Sequence, residues 1–153
     1  MDIKKTANSF TNFTIKRIAE IFGITVLCAG VLLLLALITY SPEDPNFIFP
    51  ENTKIENILG FHGSFISDIF FQSMGLVSYL FSFTLIVTGI NIIRSKLFFL
   101  IIENIFFAII YSIIGTLFFA HFYSEAFTLY INGNGGFIGN YFCLLYTSPS
   151  PRD

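Results

Sequence analysis

The chain has 153 residues, of which 54% are hydrophobic and only 12% are charged, and its formal net charge is −2 at pH 7. An average soluble domain carries about twice that share of charged residues, so the composition indicates a multi-pass membrane protein. The length leaves room for one small helical bundle and none for a separate catalytic domain of ordinary size, and the small net charge gives no reason to expect a nucleic-acid-binding surface.

Residues 1–20 form a basic segment in front of the first long apolar run. Against Asp2 and Glu20, this segment carries four basic residues: Lys4, Lys5, Lys16 and Arg17. Because the cytoplasmic flanks of membrane helices are enriched in Lys and Arg, the charge bias predicts a cytoplasmic amino terminus. The pattern leaves open whether the segment is a helix on the membrane surface or a flexible tail.

The first predicted membrane helix spans residues 21–40, which contain no charged residue and no proline. A helix of that length is about 30 Å long and matches the hydrocarbon core of a bilayer. Tyr40 suits the membrane interface, and Pro42 and Pro45 prevent the helix from continuing.

Residues 41–67 are predicted to form a loop on the non-cytoplasmic side. Acidic residues outnumber basic ones there, since Lys54 stands against Glu43, Asp44, Glu51 and Glu56. Such a balance is expected on the side opposite to the basic segments. The loop also contains several Phe and Ile residues, so we expect it to lie against the membrane or to cap the bundle.

Two further membrane helices are predicted at 69–93 and 97–122, and the basic turn Arg94 to Lys96 between them predicts a cytoplasmic hairpin. Small residues recur on one face of each helix, where they allow close helix packing in lipid, and the face of the third helix is suited to meeting that of the second. A polar lining of a transport pathway is the alternative use of these faces. The predicted packing residues are Gly75, Ser78, Ser82 and Gly89 on the second helix, and Asn104, Ala108, Ser112, Thr116 and Ala120 on the third.

One ionisable residue, Glu103, lies well inside an apolar run. A carboxylate at such a position is a candidate for proton or ion movement. Glu103 is only six residues past Leu97, and Lys96 lies on the same predicted helix face one heptad earlier, with Arg94 close by. We therefore favour a carboxylate that pairs with these cations or reaches the cytoplasmic interface.

Residues 123–136 contain no basic residue and are predicted to be a second non-cytoplasmic loop, and a fourth helix is predicted to begin near 136–142. The predicted fold is an all-α membrane domain over residues 21–142. It is a small bundle of three complete transmembrane helices with a truncated fourth.

No catalytic, cofactor-binding or metal-binding residue is predicted. HExxH, GxSxG, CxxC and phosphate-loop patterns do not occur in the sequence, and neither histidine has the partners that a metal site needs. We therefore expect no enzyme activity and no cofactor. A fragment of a small transporter or channel is an alternative function, although such a protein should carry charged or strongly polar residues deep in several helices.

Three stretches carry a resemblance. The exit from the first helix reads Tyr40-Ser41-Pro42-Glu43-Asp44-Pro45-Asn46-Phe47, a later block contains Asn57, Gly60, Gly63 and Asp68, and a third reads Gly135-Gly136-Phe137-Ile138-Gly139. In this order and spacing they resemble the amino-terminal membrane domain of the FtsK/SpoIIIE family of bacterial DNA translocases. The first stretch departs from the family pattern at Asn46, where Ser is usual.

The resemblance implies a membrane anchor and division-site interaction module in the bacterial inner membrane, for a DNA translocase that acts in chromosome segregation and cell division. The motor of such a translocase is expected to be missing from these residues. Membrane lipid, further copies of the chain as a homo-oligomer and division proteins are the implied partners, and no nucleic acid is expected to bind this segment. The residues marked for interaction or loop capping are Asp44, Pro45, Asn57, Gly60, Gly63 and Asp68.

Residues 143–153 depart abruptly from the family pattern. They resemble translated sequencing-adapter sequence, so we expect a non-native tail and leave the segment out of the topology argument.

Overall fold

The computed structural model describes residues 3–45, 54–97, 99–123 and 132–147. The predicted all-α fold is confirmed, since the regular elements in these ranges are five helices. They are α1 (Ile3–Ile38), α2 (Gly60–Met74), α3 (Val77–Ser95), α4 (Phe99–Phe122) and α5 (Gly136–Thr147). Asn46 and Phe47, most of the loop predicted at 123–136 and residues 148–153 lie outside the described residues.

Three of these helices are long and apolar enough to cross a membrane: Thr11–Ile38, Val77–Ser95 and Phe99–Phe122. The fourth apolar helix, α5, has only 12 residues. This agrees with the predicted three complete crossings and a short fourth helix. The predicted boundary between residues 142 and 143 lies inside α5, which continues to Thr147; the origin of residues 143–153 stays a prediction.

The first helix begins earlier than predicted. Residues 3–20 continue α1 without a break, so α1 has 36 residues and is about 54 Å long. The segment is therefore neither a separate surface helix nor a flexible tail. No proline or glycine interrupts the chain before Gly23, which explains why the helix extends past its apolar part.

The prediction of one helix over 69–93 is wrong. The run is divided between α2, which begins at Gly60 inside the predicted loop, and α3, which begins at Val77. Gly75 separates them with a φ of 58°, a left-handed conformation that glycine adopts without strain. Hydropathy cannot distinguish a straight helix from two helices that are joined at Gly75 and Leu76.

The α1 and α3 helices pack antiparallel in the most extensive helix contact among the described residues. Gly23 lies against Ile93, and Gly30 lies against Ile86. Steps of four and three residues between buried positions are typical of left-handed coiled-coil packing. Along α1 these positions are Ala19, Gly23, Val26, Gly30, Leu33 and Leu37.

Gly89 packs against a different helix from the one predicted. A Cβ atom built on Gly89 would lie 2.6 Å from the backbone nitrogen of Leu27, so α1 and α3 are in backbone contact at this position. The predicted contact of these small residues was with the following membrane helix, α4. Because α1 also carries small residues at matching spacing, the closest approach is with α1 instead.

The buried small residues of α4 face α5 and α3. At the α5 contact, a Cβ atom on Gly139 would lie 2.3 Å from the Thr116 carbonyl oxygen. At the α3 contact, the Asn104 amide donates to the Thr88 hydroxyl at 2.9 Å, and the Thr84 and Tyr111 hydroxyls lie 2.5 Å apart. Ala108, Ser112, Thr116 and Ala120 are all buried.

We name the two ends of this bundle by the residues that form them. The loop end comprises residues 39–45, 57–64 and 132–136. The basic end comprises residues 16–20 and 94–97.

Candidate functional site at the loop end

Asp44 ties the chain that leaves α1 to the chain that enters α2. Its carboxylate accepts two backbone hydrogen bonds, from the Glu56 nitrogen at 2.8 Å and from the Asn57 nitrogen at 3.0 Å. Asp44 is buried, and its own backbone nitrogen donates to the Ser41 carbonyl oxygen in a turn. One carboxylate thus fixes two stretches that lie 12 residues apart in the sequence.

Asn57 joins the same two segments through its amide. Its Nδ2 donates to the carbonyl oxygens of Ala36, at 2.9 Å, and Thr39, at 3.3 Å, which belong to the last turn of α1 and the residue after it. Its Oδ1 accepts from the Leu59 nitrogen at 3.0 Å, just before α2. Carbonyls at a helix end lack partners within the helix, so Asn57 supplies the donor that they need.

Two glycines make room for this arrangement. Gly60 has a φ of 66° and donates from its backbone nitrogen to the Asn57 carbonyl oxygen at 2.9 Å. A Cβ atom on Gly63 would lie only 2.1 Å from Asn57 Oδ1, so no larger residue fits there without displacing the amide. The next residue, Ser64, donates to the Pro45 carbonyl oxygen at 3.1 Å.

Asp68 lies on α2 and faces the end of α1. Its Oδ1 accepts hydrogen bonds from the Tyr40 hydroxyl at 3.2 Å and from Gln72 Nε2 at 3.4 Å. The Tyr40 ring also packs on Phe71, with ring centroids 4.8 Å apart. All six residues marked by the resemblance therefore belong to one cluster. We call it the polar cluster: Tyr40, Asp44, Pro45, Asn57, Gly60, Gly63, Ser64 and Asp68.

A second set of contacts joins α2 to the start of α5. Asn132 Nδ2 donates to Gln72 Oε1 at 2.8 Å, and the Leu76 nitrogen donates to the Asn134 carbonyl oxygen at 3.0 Å. A Cβ atom on Gly75 would lie 1.9 Å from that same oxygen. Sequence reasoning missed Asn132 and Asn134, although asparagines beside a glycine-rich turn are a signal for side-chain hydrogen bonding to the backbone.

Sequence reasoning also missed the packing face of α1. Ala19, Gly23 and Gly30 lie on the heptad positions that meet α3. Their spacing, together with that of the small residues on α3, was the available signal.

The basic end is held by ion pairs on Glu20. Lys96 Nζ lies 2.6 Å from Glu20 Oε1, and Arg17 lies 2.5 Å from Glu20 Oε2. The predicted pairing of Glu103 with Lys96 is wrong, because Lys96 leaves the helix in a left-handed conformation with a φ of 59° and reaches α1. The Glu103 side chain lies exposed on α4.

The hydrogen bonds of the polar cluster hold neighbouring segments of the chain together. Both of its carboxylates accept hydrogen bonds from N–H or O–H donors. Within the described ranges, no group of three or more His, Cys, Asp and Glu residues lies close enough to hold a metal ion. The helix-packing residues predicted on α3 and α4 are buried, except for the half-buried Asn104, and Gly75 forms the joint between α2 and α3.

Comparison with known proteins adds independent information. A family model, the 4TM region of DNA translocase FtsK/SpoIIIE, matches residues 15–146. The DNA translocase FtsK of Rhizobium meliloti (strain 1021) is 32% identical over 78 residues, which cover 51% of this chain and 9% of that protein. The DNA translocase FtsK of Caulobacter vibrioides is 38% identical over 73 residues, which cover 48% of this chain and 9% of that protein. No solved structure matches the chain significantly.

The family description fits the fold. Four apolar helices, α1, α3, α4 and α5, account for a four-helix membrane region, and α2 is an additional short helix between the first two. The family match spans most of the chain, and the polar cluster lies inside it. The chain therefore belongs to the family of the membrane-embedded 4TM region of the FtsK/SpoIIIE DNA translocases.

Proposed function

We propose that this chain is the membrane anchor of a DNA translocase, that its basic end faces the cytoplasm, and that it places the translocase at the division site. The distribution of charge supports the orientation. Because α1 and α3 are antiparallel, basic residues from two distant stretches meet at one end: Lys16, Arg17, Arg94 and Lys96. Acidic residues predominate at the loop end, as expected for a periplasmic face.

The direction of α5 supports a cytoplasmic connection. Gly136, the first residue of α5, lies beside Ser73 and Gly75 at the loop end. Farther along, Phe142 lies in a groove with Ile109, in the interior of α4. The helix thus runs from the loop end toward the basic end. In the proposed orientation it carries the chain toward the compartment that contains ATP and DNA.

We propose tethering, and not DNA binding, as the role of this segment. The matched segments cover 9% of the length of the two FtsK relatives, so translocation by the whole protein is a proposal for a longer chain. The chain has 8 Lys and Arg residues against 10 Asp and Glu residues. The resulting net charge of −2 does not favour a DNA-binding surface. Anchoring needs only stable insertion and a fixed orientation.

Self-association and binding to division proteins are further parts of the proposal. Asp44, Asn57 and Asp68 make hydrogen bonds within the chain and are buried. This supports loop capping as their role. We therefore assign contacts with other copies and with division proteins to exposed residues outside the polar cluster.

The alternative, a fragment of a transporter or channel, has weaker support. The polar side chains inside α3 and α4 bond to one another, as Thr84 does with Tyr111 and Thr88 does with Asn104. Hydrogen bonds of this kind are common in packed membrane helices and do not by themselves indicate a transport pathway.

The orientation is tested by alkaline phosphatase fusions in a bacterial host. A fusion after Lys54 should be active, because the enzyme folds in the periplasm, and a fusion after Ser95 should be inactive. The reverse result would overturn the assignment of the basic end to the cytoplasm.

The division role is tested by imaging. The full chain, fused at its amino terminus to a fluorescent protein, should be enriched at the septum of dividing cells, whereas an unrelated multi-pass protein with the same tag should label the envelope evenly. Even fluorescence from a correctly inserted fusion would leave a membrane anchor without a division-site role.

A further inference from the structure

The α2 helix has an inverted distribution of polar and apolar side chains. Ser64, Ser67 and Asp68, on its inner side, are 1%, 0% and 7% exposed. Ile66 and Ile69, on its outer side, are 42% and 48% exposed. A surface helix in water shows the opposite arrangement, with polar residues outward.

The outer side of α2 continues the lipid-facing surface of α1. Ile66 and Phe70 of α2 and Ala29 and Leu32 of α1 line one apolar groove of about 440 Å³. Ala29 precedes the last residue of α1, Ile38, by nine residues, which is about 13 Å along the helix axis. The groove therefore lies beside the membrane-spanning part of α1 and not beyond its end.

Both ends of α2 are attached to the loop end. Before α2, the Asn57 amide donates to the carbonyl oxygens of Ala36 and Thr39. After α2, the Tyr79 hydroxyl of α3 donates to the Leu37 carbonyl oxygen. With 15 residues, α2 is about 22 Å long, which is too short to cross a bilayer. It enters and leaves the bundle on one side.

We propose that α2 lies within the lipid leaflet at the loop end, with its outer face and the groove beside α1 in contact with lipid acyl chains. In water the exposed Phe and Ile residues would form an unfavourable apolar patch. In lipid the same residues are well solvated, and the polar groups that lipid cannot solvate are the ones turned inward. His62, in the first turn, then lies near the headgroups.

This placement explains the internal bonding of the polar cluster. A chain segment inside the leaflet needs partners for its backbone groups, because the acyl region contains no water. Just before α2, the Asn57 and Leu59 nitrogens donate to the side chains of Asp44 and Asn57, and the Gly60 nitrogen donates to the Asn57 carbonyl oxygen. At the end of α2, the Gly75 nitrogen donates to the Phe71 carbonyl oxygen. The stretch predicted as a loop that lies against the membrane or caps the bundle therefore includes a membrane-embedded element.

The absence of tryptophan from the sequence allows a direct test. Ile69→Trp in the full chain, reconstituted into phospholipid vesicles with acyl chains brominated near the carbonyl end, places one fluorophore on the outer face of α2. We expect it to lose as large a fraction of its emission as Phe106→Trp, a control on the exposed surface of α4. Glu43→Trp, an exposed control before α2, should be quenched by iodide and little by bromine.

Two results would overturn the proposal. Iodide quenching of Ile69→Trp as strong as that of Glu43→Trp would place α2 in water. Protection from both quenchers would show that protein, such as a second copy of the chain, covers the face. If Ile69→Trp does not keep its helical circular dichroism, Ile66→Trp on the same face answers the question with the same controls.

Discussion

The loop end and the basic end of the bundle hold their segments together by different interactions. At the loop end, buried and half-buried side chains bond to backbone groups of distant segments, as Asn57 does with Ala36 and Asn132 does with Gln72. At the basic end, one carboxylate, that of Glu20, accepts from two cations near the surface. A buried polar group that loses its partner costs far more than an ion pair near the surface. Stability and conformational specificity are therefore concentrated at the loop end.

The largest expected effect is that of Gly75→Ala. Its φ is positive, and the added Cβ atom would lie 1.9 Å from the Asn134 carbonyl oxygen, which is backbone and cannot rotate away. We expect a loss of more than about 4 kcal/mol of unfolding free energy, or failure to fold. Unfolding by SDS in mixed micelles, followed by circular dichroism, measures the loss.

Gly115→Ala is the matched control for that substitution. Its Cβ atom would meet a side-chain atom of Val77 at 3.0 Å, and Val77 can shift. The expected change is within about 1 kcal/mol. Equal losses for the two variants would show that the joint between α2 and α3 is not a special position.

Asn57→Ala should have the next largest effect. The substitution removes the donor for the carbonyls at the end of α1 and the acceptor for the Leu59 nitrogen. Leaving such buried groups without partners costs about 1–3 kcal/mol. The neighbouring variant Glu56→Ala keeps its backbone bond to Asp44 and should unfold as the parent does. A parent-like Asn57→Ala would contradict the capping role.

Tyr40→Phe should have a smaller effect. The ring keeps its packing on Phe71, and only the hydroxyl that donates to Asp68 is lost. We expect a loss of about 1 kcal/mol in the same unfolding assay. Tyr146→Phe, at a highly exposed position on α5, is the control and should change nothing measurable. If the two variants behave alike, the bond to Asp68 does not contribute to stability.

The sequence was sufficient to predict the number of long spans, and the resemblance marked six residues of the polar cluster, whose role in interaction or loop capping stays a prediction. Apolar length alone indicated the crossings by α1, α3 and α4, since lipid imposes a minimum length on every span, but it placed the second at 69–93 instead of Val77–Ser95. Residue type explains several of these positions: Gly60 has a positive φ, Gly63 leaves room for the Asn57 amide, and the short side chains of Asp44 and Asn57 reach backbone groups.

The division of the second apolar run could not be predicted, for a physical reason. Gly75 is a break because the backbone around Asn134 approaches it, and that contact joins residues far apart in the chain. Glycine inside membrane helices also serves simple packing, as Gly89 does against α1. Local sequence does not separate these two uses.

At the basic end, Glu20→Gln should produce a small loss of stability. Glutamine keeps the length of the side chain and removes the charge that attracts Lys96 and Arg17. Because salt screens exposed ion pairs, the difference between Glu20→Gln and the parent should shrink as NaCl is added. A difference that stays constant up to high salt would indicate that Glu20 acts through hydrogen bonding or packing.

The smallest expected effect is that of Glu103, for which Gln and Leu should both be tolerated. Glu103 lies four residues past Phe99, the first residue of α4, so its carboxylate is about 6 Å along the helix axis from that end and can extend to the interface. Lys96, the partner expected from the sequence, binds Glu20 instead, so removal of the Glu103 charge does not leave Lys96 without its partner.

Membrane insertion, unfolding and septal enrichment of the fluorescent fusion should match the parent for both Glu103 variants. Asn104→Leu is the neighbouring control, and it should lower stability because it removes the bond to Thr88. Loss of septal enrichment for both Glu103 variants, with normal insertion and unfolding, would instead identify a functional carboxylate on the lipid-facing surface of α4.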